Sequence, residues 1–252
     1  MQRWSGRVAL VTGASAGIGA GLVKALVKHG MKVVGCARNI DKIQKLADEL
    51  KNEPGKVKAV RCDVSKEEDV LAMFQTIKAD PDLGGVDVCI NNAGLAHNDP
   101  LLTGSTQGWK HMLEVNVLGL CMCTREAFKS MQERKVDDGH IILLNSVLGK
   151  TVGPMNFSHF YGATKFAVSA IYEGLIKELN EINSGIRVTS VAPGLVRTEI
   201  LYRMKLDDVN PEVMYQGALD VDDIAAVVIF ALGTPPNVQI HDVTVKPLNS
   251  LL

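Results

Sequence analysis

The sequence predicts an α/β protein in one domain, residues 1–252, organised on an open, doubly wound sheet of about seven parallel strands. Three observations carry that reading. Short apolar runs of strand type alternate with helical segments of about 12 residues, which implies crossovers and a parallel sheet covered on both faces. A glycine-rich turn follows the first apolar run at once. No Pro/Gly/Ser-rich linker divides the 252 residues, a length that α/β folds often fill as one unit. The expected arrangement is therefore of the Rossmann type, with ligands beyond the carboxyl ends of the strands.

Taken in order, residues 8–11 form the first strand. Helical spacing then places Ile18, Leu22, Ala25 and Leu26 on one face, with Gly30 as the stop. Residues 32–36 are the second strand and 40–50 the second helix. Residues 57–62 and 66–78 repeat the pattern after the Pro54-Gly55 turn. A buried strand at 86–90 ends in Asn91-Asn92-Ala93-Gly94, and a long helix is expected over 108–131. Residues 141–145 are a strand, 159–183 a helix, and 186–191 a strand ending in Ala192-Pro193-Gly194. Periodicity is then lost beyond Thr198. It returns as a helix over 221–232, opened by Asp222 and Asp223, and a last strand near 243–245.

Composition narrows the function. Hydrophobic residues make up 46% and charged residues 22% of the chain, as in a globular protein with a sizeable core. The net charge of -1 gives no general attraction to nucleic acid or anionic membrane. No apolar run reaches the length of about 18 residues that a membrane span requires, and the first residues carry no leader pattern, so a cytoplasmic protein is expected. The five cysteines, Cys36, Cys62, Cys89, Cys121 and Cys123, fit neither a disulfide framework nor a paired zinc motif and read as reduced, buried groups. The six histidines include no H-E-x-x-H pair, and no metal site is expected.

Chemistry enters at Thr12-Gly13-Ala14-Ser15-Ala16-Gly17-Ile18-Gly19, between the first strand and first helix. Glycines there permit a tight turn and close backbone approach, and the free amides at the helix start favour a phosphate. No G-K-[ST] follows, so this is no ATP-type loop. Gly13 to Gly17 formally matches the G-x-S-x-G elbow of α/β-hydrolases, but that elbow follows several strands and here only one precedes it. An acid about 20 residues past the glycines would accept the ribose hydroxyls of NAD. The second strand ends instead in Arg38-Asn39, with a guanidinium suited to a 2′-phosphate, and NADP is preferred. Asp41 reads as a first-turn carboxylate of the next helix.

Ser146 to Lys165 holds the expected proton chemistry. Tyr161 and Lys165 are four apart, so on a helix they share a face and the ammonium lies beside the phenol. A nearby cation favours phenolate, and a tyrosine of lowered pKa can pass a proton near neutral pH. Ser146 supplies a hydroxyl just after the strand.

With these pieces in order, the chain resembles the short-chain dehydrogenase/reductase family. The resemblance rests on T-G-A-S-A-G-I-G at Thr12 to Gly19, Cys62-Asp63-Val64, N-N-A-G at Asn91 to Gly94, Asn116, Ser146, Y-G-A-T-K at Tyr161 to Lys165, and P-G-L-V-R-T at Pro193 to Thr198. It covers essentially the whole chain. It implies that Tyr161 donates the proton in reduction and accepts it in oxidation, and that Lys165 holds the pKa of Tyr161 down and binds the nicotinamide ribose. Ser146 would hydrogen-bond the substrate oxygen, and Asn116 would hold a water linking Lys165 to solvent. Gly13, Ser15, Ala16, Gly17, Ile18 and Gly19 would take the cofactor's phosphates, with Arg38 and Asn39 at its ribose. Asp63 and Val64 would flank the adenine, and Asn92, Ala93 and Gly94 would line the cofactor. Pro193, Gly194, Val196 and Thr198 would fix the nicotinamide.

Substrate choice is expected in residues 95–104, 147–160 and a lid at about 195–220, whose apolar side chains suit a lipophilic alcohol or ketone. Met1-Gln-Arg-Trp, Val33 to Arg38, Val86 to Ala96 and Val136 to Ile142 are similar to the subgroup of insect farnesol dehydrogenases and a vertebrate 3-/17-ketosteroid-reducing member. That resemblance implies NADP(H) and a bulky isoprenoid or steroid substrate. A non-catalytic NADP(H)-binding sensor or scaffold of the same fold is the alternative, although the chain keeps Asn116, Ser146, Tyr161 and Lys165. The family also implies a homodimer or homotetramer through the long helices, with which Met112, Val115, Leu118, Met122 and Phe128 are compatible.

Overall fold

The computed structural model describes residues 1–204, 206, 210–248 and 250. Seven strands form one sheet in the order β3-β2-β1-β4-β5-β6-β7, and every neighbouring pair is parallel. The strands are β1 (Val8–Thr12), β2 (Lys32–Ala37), β3 (Lys56–Arg61), β4 (Val88–Asn91), β5 (His140–Leu144), β6 (Arg187–Pro193) and β7 (Asp242–Val245). The helices between them are α1 (Gly17–Lys28), α2 (Ile40–Glu49), α3 (Glu67–Ala79), α4 (Thr106–Leu113), α5 (Leu120–Glu133), α6 (His159–Glu181), α7 (Ile200–Arg203), α8 (Pro211–Met214) and α9 (Val221–Gly233).

Strand order reverses at β1, which pairs with β2 from Val8↔Lys32 to Thr12↔Cys36 and with β4 from Ala9↔Val88 to Val11↔Ile90. The chain therefore winds outward in both directions from the β1/β4 junction, and a crevice opens there at the strand ends. Because side chains alternate along a strand, β1 serves two cores. Val8 and Leu10 face α3, α5 and α6 with Met73, Ile77, Met131 and Tyr172, whereas Ala9 and Val11 face α1 and α9 with Leu22, Leu26, Ile224 and Leu232. All five β1 residues are buried. Each large aliphatic side chain so buried contributes about 1.5–3 kcal/mol.

The helix expected over 108–131 is three segments. α4 ends at Leu113, Glu114–Gly119 is π-helical, and α5 continues from Leu120. The cause lies in Asn116, whose side chain is drawn out of the helix to the backbone of Leu95. α9 begins with a capping box: Asp223 accepts a hydrogen bond from the Asp220 amide at 2.8 Å, and Asp220 caps in return. The segment beyond Thr198, where the sequence shows no periodicity, holds the short helices α7 and α8. Part of the expected lid, Lys205, Asp207, Asp208 and Val209, lies outside the described residues. Among the described residues no helix is long and apolar enough to cross a membrane.

Candidate active site

The turn after β1 brings the backbone close to whatever occupies the crevice. Gly13 and Gly17 adopt φ of +67° and +55°, which side-chain-bearing residues rarely adopt. A Cβ at Gly19 would lie 2.4 Å from the Gly13 carbonyl oxygen and 2.5 Å from Asn92 Nδ2, so this position serves the turn's packing. Asn92 Nδ2 donates to the Thr12 carbonyl at 2.8 Å, and Thr12 Oγ1 accepts from the amides of Asn92 and Ala93 at 3.0 and 2.9 Å. These bonds tie the end of β4 to the glycine turn.

A cleft of about 410 Å³ lies over the β1/β4 junction. Of the residues expected at a cofactor, Gly13, Ser15, Ala16, Gly17, Ile18, Arg38, Asn39, Asp63, Val64, Asn92, Ala93, Gly94, Tyr161, Lys165 and Thr198 line it. Gly19, in the first turn of α1, Pro193, at the end of β6, and Gly194 and Val196 just beyond it do not. Gly194 instead donates its amide to the Val245 carbonyl at 2.7 Å, joining the end of β6 to β7. Asn39 also caps α2, accepting from the Lys42 amide at 3.4 Å. Asp63 accepts from the amide and hydroxyl of Ser65 at 3.1 and 2.7 Å. Burial works to raise its pKa, but the Ser65 bonds and the charge of Arg38 outweigh this and hold it below the usual value. The guanidinium thus stands where β2 and β3 end, beside an ionised carboxylate.

Tyr161 and Lys165 sit in the first two turns of α6 and face the same cleft, with Lys165 Nζ 5.7 Å from the centre of the phenol ring. Lys165 is buried, and its ammonium donates to the Leu144 carbonyl at 2.8 Å. Burial pushes its pKa down to about 8. The expected lowering at Tyr161 is overturned: burial pushes its phenol up to about 12, and the opposing pull comes from a hydrogen bond with Ser146, not from the lysine. Enclosure of the half-buried phenol by protein disfavours its charged form more than the ammonium favours it. Ser146 Oγ also accepts from the Leu148 amide at 3.1 Å, which fixes the hydroxyl at the end of β5.

Asn116 is buried beside this pair. Its Nδ2 donates to the Leu95 carbonyl at 2.8 Å and to Thr164 Oγ1 at 3.0 Å, and its Oδ1 accepts from the Leu95 amide at 2.9 Å. The side chain is therefore committed to holding the 95–104 wall against α6. A stacked pair reinforces that join: Trp109 of α4 lies on Phe160, the neighbour of Tyr161, with ring centres 5.3 Å apart, and donates Nε1–H to the Asp99 carbonyl at 3.0 Å.

Several cleft residues were not singled out by sequence. Leu144 and Asn145 line it from the end of β5, and Glu199 and Arg203 from the turn into α7. Glu199 reaches Lys42 of α2 at 3.3 Å and Arg203 at 2.5 Å, so an ion pair spans the cleft's mouth. Adjacency to Ser146 and Thr198 was the only signal for these. Of the apolar residues in the expected substrate walls, Leu95, Ala96 and Ile200 line the cleft, whereas Phe157, Leu201, Met204 and Tyr215 are buried with Ala96 in a small core against which Tyr161 and Ile200 pack. Among the described residues no group of three or more His, Cys, Asp or Glu is placed to hold a metal ion.

The short chain dehydrogenase family model matches residues 7–208. The chain belongs to the short-chain dehydrogenase/reductase family. Among members of this family, it is 52% identical over 258 residues to dehydrogenase/reductase SDR family member 11 of Gallus gallus, covering 100% of both chains. It is 44% identical over 253 residues to the farnesol dehydrogenase of Aedes aegypti, covering 98% of each. A solved short-chain fold, the closed form of serine dehydrogenase complexed with NADP+, superposes with a TM-score of 0.86 at 30% identity, covering 97% of this chain and 96% of that one. The chain is accordingly an oxidoreductase of this family.

Proposed function

We propose that the protein is an NADP(H)-dependent oxidoreductase that interconverts a lipophilic alcohol, farnesol-like or steroidal, and its aldehyde or ketone. The observation that carries this is that Tyr161, hydrogen-bonded to Ser146, and Lys165 line the same glycine-floored cleft as Arg38. The donor set suits a phosphorylated dinucleotide: positive-φ glycines beneath, a helix start at Gly17, and a guanidinium beside β2. When bound, NADP(H) supplies or takes the hydride.

The chain's own residues do the rest. The Tyr161 phenol gives its proton to the substrate oxygen in reduction and accepts it in oxidation. A phenol at about 12 is almost wholly protonated near neutral pH, so oxidation requires the charge around it to change on binding before it can accept a proton. Ser146 donates to the substrate oxygen. Lys165 spends one N–H on Leu144 and holds its others toward the cleft, where a ribose hydroxyl fits their geometry. Asn116 positions Leu95. The described residues of the 195–220 segment serve as a lid over the site, held across its mouth by Lys42, Glu199 and Arg203. The 44% identity with a farnesol dehydrogenase supports the lipophilic substrate, and the bound NADP+ of the serine dehydrogenase supports the cofactor.

The test follows NADPH absorbance with farnesol and other terpenoid alcohols plus NADP+, then ketosteroids and small diketones plus NADPH, each repeated with NAD(H). Turnover with NADP(H) well above NAD(H) is the expected result. A preference for NAD(H), or tight NADPH binding with no turnover of any compound, overturns the proposal.

A further inference from the structure

At the opposite end of the sheet, away from the cleft, three side chains near one another, Arg3, His140 and Arg187, carry buried nitrogen atoms without hydrogen-bond partners. Among the described residues, Nε, Nη1 and Nη2 of Arg3, Nη2 of Arg187 and Nδ1 of His140 are buried and make no hydrogen bond. Arg3 comes from the turn before β1, His140 begins β5 and Arg187 begins β6. His140 is fully buried and Arg187 is 4% exposed.

Nearby acceptors are already used. Arg187 Nη1 donates to Thr234 Oγ1 at 2.7 Å and to the Val238 carbonyl at 2.8 Å. Both oxygens of Asp138 take the Arg7 guanidinium, at 2.6 and 2.8 Å. Asp87 takes Arg7 at 3.3 Å, Arg134 at 2.9 Å and the Val8 amide at 2.8 Å. The Trp4 ring lies between Arg3 and Arg7, with guanidinium carbons 4.5 and 4.6 Å from its centre, which eases the charge but accepts no N–H in line.

His140 does not supply the missing negative charge. Thr189 Oγ1 spends its only hydrogen on the Ile240 carbonyl at 2.6 Å, so at 2.8 Å it accepts Nε2–H from His140. The imidazole is neutral, with a lone pair at Nδ1 that can take one guanidinium N–H and leaves the rest. Burial and the charges of Arg187 and Arg3 push its pKa down to about 3. Burial, together with Arg3, likewise pushes Arg187 down to about 10. Among the described residues neither guanidinium has a hydrogen-bonded carboxylate: Asp138 acts on both only through space, its oxygens being bound to Arg7, and a buried charge without a bonded partner is destabilising.

We propose that Arg3 and Arg187 together hold a small inorganic anion, a halide or an oxyanion, that ties the N-terminal turn to the start of β5 and β6. Guanidinium forks suit such a ligand, since each presents parallel N–H groups. The anion is structural, sits apart from the cleft, and serves stability.

Thermal unfolding of the full chain at fixed ionic strength tests this, with sodium gluconate replaced stepwise by chloride in one series and by inorganic phosphate in another. The readout is the difference between the natural chain and Arg3→Met, which cancels anion binding at the cleft and general salt effects. The natural chain is expected to gain about 2–4 °C more than the variant once the anion exceeds its Kd tenfold, along a saturating curve. A response to chloride alone identifies a halide site, and one to phosphate alone an oxyanion site. In gluconate Arg3→Met should unfold at the higher temperature, because the surplus charge is gone. Arg3→Lys, which keeps charge but loses the fork, should respond weakly, and line broadening of the chloride NMR signal by the natural chain gives a direct reading. Parallel curves for natural chain and variants in both series overturn the proposal, as does an Arg3→Met that is less stable in gluconate and unchanged in its anion response.

Discussion

At the phenol of Tyr161 enclosure by protein and the Ser146 hydroxyl act in opposite directions, and enclosure prevails. Replacing Tyr161 with phenylalanine removes the proton path and little packing, so turnover should fall about 100-fold to 10,000-fold while NADPH binding, followed by fluorescence, stays within a few-fold. Lys165 has a consequence for stability. Its folded-state pKa is lowered to about 8 against an ordinary 10.5, so the unfolded chain binds more protons between those values and the residue's contribution to stability rises with pH across that window. Below pH 8 the buried ammonium costs up to about 3 kcal/mol. Lys165→Met should therefore unfold at higher temperature than the natural chain at pH 7, and the gap should close as pH approaches 10.5. The residue types of this site were legible because their spacing is local: Tyr161 and Lys165 share a helical face wherever the helix goes. Their environment was not, since burial depends on Leu144, Asn116 and Leu95 arriving from other elements.

At the scale of elements, strand positions were legible because fully buried parallel strands read as unbroken apolar runs, as in Ile141, Ile142, Leu143 and Leu144. The π-helical turn at Glu114–Gly119 was not, because apolar residues at 112, 115 and 118 satisfy ordinary helical spacing and hide the extra residue. Its value is the reach of Asn116. Asn116→Leu should leave the Leu95 amide and carbonyl without partners, lowering stability to urea by about 1–3 kcal/mol, with a loss of activity that added cofactor does not restore. The glycine turn makes a sharper demand. Gly19→Ala puts a methyl 2.4 Å from the Gly13 carbonyl oxygen, backbone against backbone, and should weaken cofactor binding more than tenfold in a titration. Helices α7 and α8 escaped sequence reading because four-residue helices carry too few positions for a period.

For the whole molecule, the sheet carries different features at its two ends: the cleft with the glycine turn, Tyr161 and Lys165 lies above the carboxyl ends, charge clusters below the amino ends. The doubly wound order was legible because βα alternation permits few alternatives. The pairing of Arg3 with His140 and Arg187 was not, since nothing local joins positions so far apart in sequence. Self-association belongs to this scale too. Met112 and Val115 are core residues, but Leu118 is 54% exposed and Phe166 42% exposed. If the long helices pair between copies, Leu118→Asp with Phe166→Asp should convert a dimer or tetramer to monomer in sedimentation, with the far-ultraviolet dichroism unchanged. The stacking of Trp109 on Phe160 bears on how such a chain can change over generations. One wall of the cleft is fastened, through that pair and Asn116, to the helix that carries the phenol, and the opposite wall rests on a small core against which Tyr161 itself packs. Under the proposed function both walls are therefore coupled to the proton donor, and variation around Leu201, Met204 and Tyr215, like variation around Leu95 and Asp99, carries the risk of misaiming it.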